Sequence, residues 1–265
     1  MILLLLSFLA VHEDLEIQIS KITKQIEQEP ERAILYFRRA ELHRLHEDWP
    51  AARADLARAS ARDPELVAVD LALGRVCNLA GDPEAARVAL DRFVARRPDH
   101  AEGRIERARA RARLGDRTGA VADYTAAIAR MEEPWAQNYI ERSEVLREDG
   151  KLDEAIRGLE EGVQRIGSAL PLLLALLDLE LEAGRVDAAL KRIETMAAAS
   201  GRKDLWLVRR GEILRQAGRE TDARKAFESA IAAIGSLPIS RRRTQFTQDL
   251  ERRARTGLEV TNEKR

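Results

Sequence analysis

The chain has 265 residues, 45% apolar and 34% charged, enough to bury a core as one elongated domain or two compact ones. Abundant Leu, Ile, Val and Ala exclude disorder as the overall state, and 15 Gly with 8 Pro exclude collagen-like or linker-like chains. A single Cys excludes an internal disulfide framework and a multi-Cys zinc site, and 45 Lys+Arg against 45 Asp+Glu argue against bulk attraction to nucleic acid or an anionic membrane.

Residues 1–11, MILLLLSFLAV, are apolar except Ser7. Eleven residues of helix span about 17 Å, short of a hydrocarbon core of about 30 Å. The run reads as a signal-like apolar segment, which predicts an extracytoplasmic (periplasmic or secreted) location, with a buried start in a cytoplasmic protein as the alternative. No Lys or Arg precedes it, and Phe8 weakens the small-residue cleavage signal at Ala10. Residues 12–30 follow as an N-terminal capping helix, with Leu15, Ile19, Ile22 and Ile26 at helical spacing before Pro30.

The middle of the chain repeats itself. Ala recurs at 52, 86, 120, 155, 189 and 223, followed four residues later by Leu56, Leu90, Tyr124, Leu159, Ile193 and Phe227. Five residues before each Ala stands Gly81, Gly115, Gly150, Gly184 or Gly218, with Glu47 in the first unit. Twelve before it stand Ala40, Gly74, Ala108, Ser143 and Gly211, with Leu177 the exception. The step is 34 residues, stretched once to 35. Each unit predicts two helices of about 13 residues: Gly at a left-handed cap, small residues where the helices cross, and Pro64 and Pro98 as stops. A single helical pair leaves an apolar face uncovered, and stacked pairs bury it.

These positions resemble the tetratricopeptide repeat (TPR) family. The resemblance implies an all-α fold: a right-handed α-solenoid of six helix-turn-helix repeats with N- and C-terminal capping helices. The predicted organisation is six repeats within 31–235, at 33–64, 67–98, 101–131, 136–168, 170–201 and 204–235, followed by a C-terminal capping helix and basic tail over 236–265. Arg241, Arg242, Arg243, Arg252 and Arg253 in that tail suit a polar cap or a phosphate- or membrane-binding patch.

In TPR folds the first helices line the concave face, so the resemblance implies a partner-binding groove there. Its apolar stripe is Phe37, Leu71, Ile105, Ile140, Leu174 and Val208, which suits ordinary helix packing or a seam for a peptide. One turn on lie Glu41, Arg75, Arg109, Glu144, Asp178 and Glu212, whose changing sign could set the register of an extended ligand or simply keep the surface solvated. Arg44, Asn78, Arg147 and Arg215 extend that face. The family's chaperone-tail carboxylate site maps onto Phe37, Glu41, Ala72, Glu102 and Glu106, where carboxylates repel such a ligand.

Arg39 and Arg107 each have Asp sixteen residues on, at Asp55 and Asp123, which predicts ion pairs across the helical hairpins of repeats one and three. Repeat two carries Leu73 and Ala89 instead. His43 and His46 are too few for a metal centre, Cys77 falls at a packing position, and no nucleotide, hydrolase or calcium motif occurs. The sequence therefore predicts a non-enzymatic scaffold with a protein or peptide partner and no cofactor, metal or nucleic acid. The alternatives are an accessory subunit of an envelope assembly or secretion complex, binding through its convex face or basic C-terminal end, a helical-repeat RNA binder, and an enzyme with an unrecognised site.

Overall fold

A computed structural model of the chain describes the backbone of residues 2–263 and the side chains of residues 14–260. Among the described residues every regular element is a helix. The chain divides into two compact units, Met1–Pro134 and Trp135–Arg265.

The first unit opens with α1 (Ile2–Gln28) and continues as three helical hairpins. These are α2 (Ala33–Leu45) with α3 (Trp49–Arg62), α4 (Ala68–Leu79) with α5 (Pro83–Arg96), and α6 (Ala101–Arg113) with α7 (Arg117–Arg130). The second unit holds α8 (Ala136–Glu148) with α9 (Leu152–Ile166), α10 (Leu170–Glu182) with α11 (Val186–Ala199), and α12 (Lys203–Gln216) with α13 (Glu220–Gly235). The short α14 (Ile239–Arg242) and the long α15 (Gln245–Glu263) complete it. The side chains of the signal-like residues 1–11 lie outside the described ones. Among the described residues no helix is long and apolar enough to cross a membrane.

The turns follow from backbone chemistry. Gly81, Gly115, Gly150, Gly184 and Gly218 all adopt positive φ, between 69° and 81°, where L side chains are strained. At Gly81 the following Asp82 N–H bonds back to the Cys77 carbonyl at 2.9 Å, which closes α4. Glu47 takes the same place in the first hairpin and is held at φ 60° without glycine's freedom. In the first unit Asp48, Asp82 and Asp116 then cap the second helices, accepting from the backbone N–H of Ala51, Ala85 and Gly119 at 3.1, 3.1 and 2.9 Å. In the second unit Lys151, Arg185 and Arg219 occupy the cap positions, with no side-chain cap. Two of them instead tie successive hairpins together, Arg185 to Asp153 at 2.5 Å and Arg219 to Asp187 at 2.6 Å.

Packing within each hairpin uses the small-against-large pairing of the sequence. Phe227 is fully buried, and a Cβ added at Gly211 would lie 2.6 Å from its ring, one added at Gly257 of α15 2.5 Å from it. Leu90 likewise fills the space that Gly74 leaves open. Leu177, the large residue at a small position, packs with Ile193 in the core of the second unit, to which α15 contributes Leu250 and Ala254.

Arg39 grips Asp55 with a two-toothed contact, Nε–Oδ2 2.6 Å and Nη2–Oδ1 2.8 Å, and also donates to Thr23 Oγ1 of α1 at 2.9 Å. Arg107 grips Asp123 at 2.7 Å through both nitrogens and reaches back to Asp91 of the preceding hairpin at 3.1 Å. Arg104 and Arg111 also converge on Asp123. The same place in later hairpins finds other acids: Arg142 reaches Glu161 at 2.6 Å, and Arg210 turns back to Glu194 at 2.5 Å. Cys77 is buried, and burial pushes its thiol pKa up.

Candidate functional site

In the first unit the first helices of three successive hairpins, α2, α4 and α6, line a cavity of about 490 Å³. Its wall is Arg44, Arg75, Asn78, Leu79, Glu102, Glu106, Arg109 and Arg113, four guanidinium groups against two carboxylates. Helical periodicity explains the convergence. Arg75, Asn78 and Leu79 are three and four residues apart on α4, as are Glu102, Glu106, Arg109 and Arg113 on α6, so each set presents one face.

The polar groups interlock. Arg75 pairs with Glu102 across the two helices. Arg109 pairs with Glu106 at 2.7 Å. Arg113 Nη1 donates to the Asn78 carbonyl at 2.5 Å. Asn78 is buried, and its Nδ2 donates to both Glu106 Oε2 (2.8 Å) and the Glu106 carbonyl (2.9 Å). Two acceptors on Glu106 fix that amide's orientation, and its Oδ1 accepts no hydrogen bond among the described residues. A buried acceptor left so costs about 1–3 kcal/mol, a cost that a donor from a ligand or water would remove. Leu79 stands at the cavity wall 56% exposed.

In the second unit a smaller cavity of about 160 Å³ lies along the first helices α8 and α10. Ile140, Ala175 and Leu179 give it an apolar lining, while Glu144 and Asp178 supply negative charge beside Arg147.

The predicted groove residues fall into distinct groups. Arg75 and Arg109 lie in the larger cavity, with Arg44 and Asn78 from the extended face. Ile140, Glu144 and Asp178 lie in the smaller one, with Arg147. Leu71, Ile105 and Val208 are buried and pack in the core, so they offer no open apolar seam. Phe37 is half-buried against the core of the first hairpin, and Leu174 is exposed. Glu41 pairs with Arg44 at 3.1 Å. Glu212 is claimed by the C-terminal helix, since Arg253 grips both of its oxygens at 2.9 Å. The wall also contains Leu79, Glu102, Glu106 and Arg113, outside the predicted groove set, although Glu102 and Glu106 are places onto which the family's carboxylate site maps. Their signal was present as positions at one-turn steps from Arg75 on α4 and from Arg109 on α6, but repeat-column reasoning follows single positions and passes over side chains that converge from neighbouring turns.

Among the described residues no group of three or more His, Cys, Asp or Glu is placed to hold a metal ion. His43 stands beside Asp55 and Asp48, and burial holds its imidazole below the usual range despite both carboxylates. His100 acts as a helix cap, its Nδ1 accepting from the Gly103 N–H at 3.1 Å.

A sequence model described as tetratricopeptide repeat matches residues 37–101, 80–134 and 174–238, more than half of the chain. No curated protein matches the sequence. Among solved structures, the C-terminal part of a TPR repeat-containing protein from Cytophaga hutchinsonii is similar at 13% identity, with 92% of this chain and 97% of that one covered and a TM-score of 0.68. A tetratricopeptide repeat protein from Parabacteroides merdae is similar at 16% identity, with 92% and 93% covered and a TM-score of 0.60. PilW, described as a type IV pilus biogenesis factor, is similar at 16% identity, with 70% and 86% covered and a TM-score of 0.60. At these identities the solved structures share the fold, and the matched repeats together with the hairpin architecture give the classification: the chain belongs to the tetratricopeptide repeat family.

Proposed function

We propose that the protein is a non-enzymatic scaffold that binds an extended segment of a protein partner along the first-helix face of its N-terminal unit. The observation that carries this reading is the cavity around Asn78: four arginines, two glutamates, an exposed Leu79 and a buried amide oxygen without a donor. A partner strand with acidic side chains would engage the guanidinium groups of the cavity wall. An enzyme reading has less support, since the titratable side chains of this cavity pair with one another.

The test is binding of fluorescent extended peptides that differ only in Glu against Gln, to the full chain and to a variant carrying Arg75→Gln and Arg109→Gln. The acidic peptide should bind more tightly, and the variant should lose that preference while keeping its helical circular dichroism. Equal binding of both peptides by the native protein would refute the acidic-strand reading.

An extracytoplasmic location, suggested by the apolar run 1–11, is part of the proposal. A second reading, an accessory subunit of an envelope assembly, draws on that run and on the exposed arginines of the C-terminal end.

A further inference from the structure

Between α13 and α15 the chain makes a bend that differs in charge from the rest of the molecule. Residues 229–248 contain no Asp or Glu and three consecutive arginines, Arg241, Arg242 and Arg243. All three are exposed, and among the described residues none of their guanidinium groups meets a carboxylate. The arginines just beyond are neutralised: Arg252 by Asp249, Arg253 by Glu212 and Arg255 by Glu251. Within this C-terminal segment, among the described residues, the uncompensated arginines are therefore those of the bend.

Large apolar side chains flank it. Ile239 is 60% exposed and Phe246 51% exposed. Neither is a loose end. The Pro238 carbonyl accepts from the N–H of Arg241 and Arg242 at 2.9 and 3.0 Å. Thr244 Oγ1 donates to the Arg241 carbonyl at 2.9 Å and accepts from the Thr247 N–H at 3.3 Å, capping α15. The Phe246 ring rests on the Arg202 guanidinium at 5.0 Å, which Asp204 holds with contacts of 2.9 and 2.7 Å. The bend thus presents cations and apolar side chains together on a braced segment.

We propose that this bend docks peripherally on an anionic lipid surface, with Arg241, Arg242 and Arg243 among the headgroups and Ile239 and Phe246 at the acyl boundary. The combination selects this occupant. An acidic protein surface would satisfy the arginines but leave both apolar side chains in water, whereas a bilayer interface takes both kinds of group. A nucleic acid would gain less from Phe246, because Arg202 already covers one face of its ring.

The test is co-sedimentation of the full chain with vesicles of phosphatidylcholine alone, and with about one part in three replaced by phosphatidylglycerol. The native protein should bind the anionic vesicles more tightly, and added salt should weaken that excess. Arg241→Gln, Arg242→Gln and Arg243→Gln together should lower the anionic-vesicle affinity about 100-fold, about fivefold per charge. Ile239→Ser should lower it about fivefold on both surfaces, because the apolar contribution does not depend on lipid charge. Among the described residues these exposed side chains carry no ion pair, so circular dichroism should be unchanged. Equal affinity for both vesicles, no vesicle binding, or undiminished binding by the triple variant would overturn the proposal. So would arginine-dependent binding to polyglutamate or single-stranded RNA without binding to vesicles, which would assign the bend to that class of partner.

Discussion

Removing Asp55 probes the hairpin geometry directly, because its carboxylate is 2% exposed and receives both prongs of Arg39. In the Asp55→Ala variant Arg39 keeps, among the described residues, Thr23 Oγ1 as its one side-chain polar partner in a half-buried site. Breaking a buried pair from one side costs about 3 kcal/mol or more, most of it the unpaired charge. The second hairpin supplies a natural control, since Leu73 and Ala89 fill the equivalent places and Ala89 is fully buried there. The double change Arg39→Leu with Asp55→Ala copies that solution. It should cost about 1 kcal/mol or less, so that a double-mutant cycle gives a coupling of at least about 2 kcal/mol, larger by whatever Arg39→Leu alone costs in leaving Asp55 without its main partner. Thr23 still donates to the Ile19 carbonyl at 2.8 Å, and Arg58, which also meets Asp55, is exposed and free to turn to water. Urea unfolding followed at 222 nm measures the cycle. Single-variant costs that simply add in the double variant would refute the argument.

Three further outcomes follow from the same structure. Glu47→Gly should raise stability by about 0.5–1 kcal/mol, because relief of the strained φ of 60° outweighs glycine's extra unfolded-state entropy; an unchanged or lower urea midpoint would count against this. Gly211→Ala should destabilise by about 1–3 kcal/mol by driving a methyl group into the Phe227 ring, and Phe227→Leu should recover part of the loss; a variant as stable as the native protein would contradict the packing. His43 is held below its ordinary pKa by burial, so the unfolded chain binds its proton first as pH falls. Stability should therefore be full above the unfolded pKa of about 6.5 and decline as pH drops toward the lower folded value, by less in His43→Gln; the reverse slope, read from urea midpoints, would show the sign to be wrong.

Much of the architecture was legible because the repeat states the same physical requirement six times. Glycine at the turn, a small residue at the crossing and a large residue sixteen positions on are read from spacing alone, and the observed helical hairpins follow that logic. Glu47 was visible as the missing glycine, though only the structure shows that it adopts glycine's conformation. The groove was harder to read. Leu71, Ile105 and Val208 share a column with the exposed Leu174, yet how far a column is buried depends on the neighbouring helix, which periodicity within one chain segment does not specify. Glu212 was lost to the groove because Arg253, 41 residues away, binds it. The basic cavity wall arose from convergence of α2, α4 and α6, where Arg113 and Glu102 enter from turns adjacent to the predicted positions.

The most direct test of the scaffold account is site-specific photo-cross-linking in living cells, with a benzophenone amino acid at Leu79, on the cavity wall, or at Val88, exposed on α5 away from it. Binding through the first-helix face predicts a discrete cross-linked protein from Leu79 that disappears when Arg75→Gln and Arg109→Gln are added, and no such product from Val88. The same product from Val88, or its survival in the arginine variant, would contradict binding through the first-helix face.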